Sequence, residues 1–284
     1  MNIIEKIINE SNDEIRNKII KERIMLLESE SLQNQVLDVN SIYHGFISSS
    51  SEIEFSTYGI DANLGLMDKY GMKQQDYIYE FFNYLKDNNI SNINAVINSI
   101  SPFLRTYFGV KNNNTYNRGI TFENMQKQLL EIYKKDNENF EKYRNKWLDI
   151  GIFKNNSMAE CTEYSAISQN LLAFLGFDTY YLSGHLSTSK IDEDHAFNLV
   201  KTPTGNYFLI DSTNPIGLYD DKLNIITTKT RFFQISKEQY ENAISGNGLN
   251  LEIKTCHYQR KDGRDRVIDI DVWKYSIKGK RKTL

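Results

Sequence analysis

Two short alternating runs constrain this chain more than any other feature. Residues 195–201 (HAFNLVK) and 206–212 (NYFLIDS) are separated by Thr-Pro-Thr-Gly. Alternation with a period of two marks a strand with two distinct faces, and the turn-rich spacer makes the pair a hairpin. A hairpin decides which side chains share a face. Pairing His195 with Asp211 also pairs Phe197 with Leu209 and Leu199 with Tyr207, and it centres the turn on Pro203. Ala196, Val200, Phe208 and Ile210 then share the opposite face. A slip of one residue would separate His195 from Asp211. The expected hairpin therefore holds an imidazole and a carboxylate side by side on a rigid ladder.

The segment before the hairpin supplies a third reactive group. Residues 151–160 (GIFKNNSMAE) read as a polar loop, and a helix is expected from Cys161. Its apolar stripe is Tyr164, Ile167, Leu171, Phe174 and Leu175, with Gly176 as its stop. Cys161 is thereby placed at a helix N-terminus, where unpaired N–H groups and the positive end of the dipole favour a thiolate. Its own backbone N–H is a candidate oxyanion donor. A single cysteine is commonly an inert buried residue. Cys161 stands apart because His195 and Asp211 follow it in the order nucleophile, base and orienting carboxylate.

The other reactive residues form weaker sets. His185 is the competing base, but SGHLSTSK reads as a strand end and loop without a carboxylate at a comparable strand position. Asp192-Glu193-Asp194 reads as a solvated turn, lacking the glycine and spaced oxygen ligands of a calcium loop. Cys256 and His257 are adjacent on an expected strand, so their side chains point to opposite faces. His44 lies in a loop-like segment without an identifiable partner. Two cysteines make neither a disulfide framework nor a zinc spacing, and no glycine-rich phosphate loop occurs. No metal or cofactor is expected.

Residues 1–150 are expected to form a mostly helical region, and residues 151–284 the catalytic core. Isoleucines at helical spacing predict one helix from Ile3 to about Leu27. Residues 41–60 are Ser-rich and read as irregular. Helices are expected over residues 76–86, after an N-cap at Ser91, and from Thr121 to about Ile150, with Pro102 interrupting the second. Residues 249–277 read as two strands separated by Lys261-Asp262-Gly263.

A net charge of −3 argues against a general nucleic-acid binder, despite the short basic run Lys278, Lys280, Arg281, Lys282. No stretch reaches the length of a membrane span, and charges interrupt the apolar positions of MNIIEKIINESNDEIRNKII, which does not read as a signal peptide. The expectation is a soluble cytoplasmic protein, with signal-independent export also compatible.

These residues resemble the transglutaminase-like superfamily of papain-related thiol enzymes. The resemblance rests on CTEYSA from Cys161, LLAFLGF from Leu171, YYLSGHL from Tyr180, DHAFNLV from Asp194 and GNYFLIDSTNP from Gly205. It implies an α+β, papain-like core in which the Cys-bearing helix packs on an antiparallel sheet. It also implies acyl transfer through a thioester, with Cys161 as nucleophile, His195 as base and later acid, and Asp211 as orienter. The run before the nucleophile reads Ala159-Glu160 where the family usually has Gly-x or Gln, and Phe197 stands where Trp often follows His-Ala. Nothing in the sequence suggests a site for an amine, so water is the expected acceptor and the expected activity is hydrolysis of a peptide-like amide in a protein or peptide substrate, as a peptidase or protein deamidase. The alternatives are transfer to an amine, of the transglutaminase or arylamine N-acetyltransferase type, and a binding protein that keeps the fold without catalysis.

Overall fold

A computed structural model describes residues 3–38, 41–54, 62–65, 76–110, 131, 146–155, 157, 159–219, 225–261, 264–279 and 282–283. Two helices open the chain, α1 (Ile3–Ile8) and α2 (Asp13–Glu30), where one had been expected. Asn12 divides them: its side chain accepts from the N–H groups of Glu14 and Ile15 at 2.9 and 3.2 Å and starts a new helix. Next come β1 (Val36–Leu37), β2 (Ser41–His44), β3 (Glu52–Glu54) and β4 (Ala62–Gly65). The Ser-rich segment is thus partly strand: β2 pairs with the remote residues 180–182 and 282–283, and β3 with its sequence neighbours β1 and β4.

Helix α3 (Asp76–Asp87) forms where its stripe predicts and buries Tyr77, Ile78, Phe81, Phe82 and Leu85. Helices α4 (Ile93–Asn98) and α5 (Ile100–Tyr107) follow. Asn92, not Ser91, caps α4, and Pro102 lies in the first turn of α5, where its missing N–H costs nothing. Lys146–Asp149 is strand β5, not the end of a helix; the remainder of that expected helix, apart from residues 131 and 150, lies outside the described residues.

The rest of the chain is one helix followed by a large sheet. Helix α6 (Cys161–Phe174) begins at Cys161 as its pattern predicts. Strands β6 (Asp178–Ser187), β7 (Asp192–Lys201), β8 (Tyr207–Tyr219) and β9 (Ile225–Ile235) lead to α7 (Lys237–Ile244). Strands β10 (Leu249–Lys261), β11 (Arg264–Ile277) and β12 (Lys282–Thr283) complete the described chain. The strands run β11-β10-β8-β7-β6-β2-β12, with β9 on β8. Because β11 also pairs with β6, this mostly antiparallel sheet curls into a half-barrel. Strands β1, β3, β4 and β5 form a smaller sheet. The class is α+β.

The β7–β8 hairpin differs from the expected register by two residues. Leu199 pairs with Leu209 and Lys201 with Tyr207, so the turn centres on Thr204 rather than Pro203. Thr202 closes the five-residue loop by bonding to Asn206, and Gly205 takes the positive φ of +82° that the loop requires. An even shift preserves the faces. Ala196, Val200 and Ile210 pack toward α6 and the first-half helices, whereas Phe197, Leu199 and Leu209 fill the curl.

Helix α6 is buried on nearly every side, and polar contacts fix its position. Asn198 Nδ2 donates to Ser165 O and Gln169 Oε1 at 3.1 and 3.0 Å. Gln169 Nε2 donates to Gly45 O and Thr179 O at 2.7 and 2.9 Å. On the far side, Asn170 exchanges hydrogen bonds with the backbone of Ile47 and bonds the Tyr77 hydroxyl. Buried amides satisfied in this way set orientation and register, which apolar packing alone leaves soft. One apolar cluster runs from Ile7 through Phe103 to Phe174 and Ile210.

Candidate active site

The first half of β7, the middle of β8 and the start of α6 meet at one buried point. His195 and Asp211 are 1 % and 0 % exposed, and His195 Nε2 lies 3.0 Å from Asp211 Oδ2. With the observed register they are diagonal neighbours on one face, close enough for direct contact. Cys161 is half-buried at the helix N-terminus. The three predicted residues are therefore brought together.

Asp211 is held from every side. The ladder between β8 and β9 is interrupted after Asp211 and resumes at Ile216. In that irregular stretch the backbone N–H groups of Thr213 and Asn214 turn back onto Oδ1 at 3.1 and 3.2 Å. Oδ2 accepts from Asn214 Nδ2 at 3.1 Å and from the Tyr275 hydroxyl at 2.9 Å, besides His195. Arg231 faces Asp211 across the β8–β9 ladder. Its guanidinium donates to the carbonyls of Asn214 and Pro215 and lies 3.8 Å from the Trp273 ring centroid. Irregularities of this kind are a common way to aim backbone groups at a site.

Opposed forces set the protonation states. Burial alone would raise the Asp211 pKa, but the charge and hydrogen bond of His195, the Asn214 side chain and the Arg231 charge lower it to about 2. Burial alone would lower the His195 pKa; Asp211 and then the Cys161 thiol overcome that and raise it to about 10. The stable arrangement is an imidazolium between two acidic groups. Nε2 is taken by Asp211, which leaves Nδ1 for the thiol. That contact is loose, since Nδ1 has no partner at directed hydrogen-bond geometry among the described residues. Substrate-free sites often show such long contacts. Glu193 Oε1 lies 3.9 Å from Nδ1 and forms part of the rim.

Several site residues carry no signal in the local sequence. Tyr275, Asn214 and Arg231 belong to the carboxylate's surroundings. Tyr181 is buried near Cys161, and burial followed by the Cys161 and Glu163 charges keeps its phenol protonated. Alternation in the segment Val272-Trp273-Lys274-Tyr275 was the available sign that Trp273 and Tyr275 share a face. His185 is half-buried and bonds to Asp192 at 3.0 Å, with Asp194 at 3.6 Å. The acidic run opens β7 instead of forming a turn. His44 lies on β2, bonds to Asp178 at 2.8 Å and stacks on Tyr180. The side chains of Cys256 and His257 lie outside the described residues.

Two cavities, of about 690 and 670 Å³, are lined by other residues, the larger on the hairpin's helix-facing side around Phe177, Phe208 and Phe232. Among the described residues, no group of three or more His, Cys, Asp or Glu side chains is arranged to hold a metal ion, and no helix is long and apolar enough to cross a membrane. Comparisons with protein-family models, curated proteins and solved structures find no match to this chain.

Proposed function

We propose that the chain is a thiol-dependent acyl-transfer enzyme with a papain-like, transglutaminase-like core that hydrolyses a peptide-like amide in a protein or peptide substrate. The observation that carries this reading is the buried His195 imidazole bonded to Asp211 on one side and coupled to the Cys161 thiol on the other. An imidazolium that stays charged at neutral pH has its natural counter-ion in a thiolate, which is the attacking form of cysteine.

The steps follow from that placement. The Cys161 sulfur attacks the carbonyl carbon, and the carbonyl electron pair moves onto oxygen, toward the backbone N–H of Cys161. The C–N bond then breaks as the imidazolium passes its proton to the departing amine, leaving a thioester and a neutral ring. His195 next removes a proton from water, the hydroxyl adds to the thioester carbon, and the carboxylic acid departs. Cys161 sulfur leaves as thiolate beside a reprotonated imidazole. Asp211 keeps its charge throughout and holds Nε2–H in place, so that Nδ1 is the nitrogen that exchanges protons.

The test is thiol reactivity. Cys161 should react with iodoacetamide well above the rate of glutathione at pH 7, and Cys161→Ala should remove that reaction together with any ester hydrolysis. A Cys161 that reacts no faster than glutathione would defeat the proposal.

A further inference from the structure

We propose that Tyr275 is a positioning residue for the same reaction: its hydroxyl, carried over the site by closure of the curled sheet, holds the Asp211 carboxylate toward His195. This rests on the thiol-enzyme reading above and adds a group from the far C-terminal strand.

Tyr275 is fully buried among Phe197, Phe233 and Trp273, with ring centroids 5.5, 6.0 and 6.3 Å away. Packing in such a cluster needs a ring, not a hydroxyl. The hydroxyl nevertheless has a charged acceptor, Asp211 Oδ2, at 2.9 Å. That oxygen is also the one that bonds His195.

Delivery depends on how β11 crosses β6. Tyr275 pairs with Leu186 and Ser276 with His185. The next β6 residue, Gly184, pairs with His195 on its other side. A Cβ at Gly184 would fall 2.4 Å from Ser276 O, so the missing side chain permits the close approach of β11. The closure that makes the half-barrel thus reaches the triad through one strand.

The chemical consequence is a balance. Three donors share Oδ2: His195, Asn214 and Tyr275. Each donor that solvates the carboxylate weakens its hold on the Nε2 proton. Burial and the Asp211 charge keep the phenol protonated, so it remains a donor. The groups facing His195 are Cys161 from α6, Glu193 on its own strand, Asp211 from β8 and Tyr275 from β11, with Arg231 on β9 acting through Asp211. Without the phenol, the imidazolium should release its proton to the leaving amine less readily. Binding should be unaffected, because Tyr275 lies behind the triad.

The experiment uses the full chain and follows the His195 ring by NMR across pH, with turnover of a peptide p-nitroanilide, an amide whose leaving amine must take the proton, as the second readout. Tyr275→Phe should move the His195 midpoint up by about 0.5 pH unit and lower kcat by up to about threefold at unchanged KM. Incorporating 3-fluorotyrosine at position 275 keeps the ring and makes the phenol a stronger donor, so the midpoint should move down. That second substitution decides the matter if the phenylalanine variant fails to fold. A His195 midpoint that does not move with fluorotyrosine, or moves in the same direction for both changes, overturns the proposal. If Cys161 reacts no faster than glutathione while the midpoints move oppositely, the enzyme reading fails and the Tyr275 coupling stands.

Discussion

Replacing Asp211 with Asn puts an NH2 group where every neighbour is a donor. Five hydrogen bonds converge on the carboxylate: the Thr213 and Asn214 backbone on Oδ1, and His195, the Asn214 side chain and Tyr275 on Oδ2. An amide accepts on one side only. The backbone N–H groups cannot turn, so the amide oxygen should stay with them and the NH2 should face the three side chains. Tyr275 and Asn214 can rotate to accept. His195 can accept at Nε2 only by carrying its proton on Nδ1, and Nδ1 is the nitrogen left for Cys161. The base then has no lone pair for the reaction, and turnover should fall on the order of 10³-fold. Losing one charge from a buried pair should cost about 3 kcal/mol, which a domain of ordinary stability survives. Ester acylation measures the first effect and urea unfolding the second. Wild-type acylation by Asp211→Asn would refute the tautomer argument, and outright unfolding at pH 7 would recast Asp211 as the anchor of the β8 irregularity.

His195→Ala should abolish acylation of Cys161 by an activated ester, and acylation that persists at the wild-type rate would remove His195 from the mechanism. The pH dependence of stability carries its own signature. The raised His195 pKa contributes stability that is complete below its ordinary 6.5 and lost as pH rises through about 10. The lowered Asp211 pKa contributes stability that is complete above its ordinary 3.8 and lost as pH falls through about 2. The stability advantage of wild type over Asp211→Asn should therefore peak between about pH 4 and 6.5 in urea titrations, and a difference that stays level up to pH 10 would contradict the assignment.

What could be read in advance follows the range of the physics involved. The start of α6 at Cys161 was legible because the preceding polar loop, the apolar stripe and the stop at Gly176 are local signals. The faces of the hairpin were legible because parity survives an error of two residues. Its register was not, because Gly205 and the Thr202–Asn206 closure place the turn one residue later than the proline signal. The partners of His44 and His185 lie on neighbouring strands, so no local spacing shows them. Strand β9 and its Arg231 fell in a stretch whose pattern pointed to no chemistry, and Tyr275 lies 64 residues beyond the carboxylate it bonds. The amides Gln169 and Asn170 occupy positions outside the apolar stripe of α6, where surface is expected, yet both are buried.

Strand β7 explains why these separate errors leave the site intact. Its even-numbered residues bind the helix: Ala196 and Val200 pack against it, and Asn198 bonds to Ser165 and Gln169. Its odd-numbered residues face the curl, where His195 meets Asp211 and lies near Phe197 and Tyr275. One strand thus fixes the distance from the helix that carries Cys161 to the interior that carries Asp211. A change at Asn198 would act on the Cys161 side of the ring, and a change at Tyr275 on the Asp211 side. The imidazole lies on β7, between β6 and β8, and both sides meet at its ring. A site so placed is sensitive to both layers of the fold, although few of its residues touch the thiol.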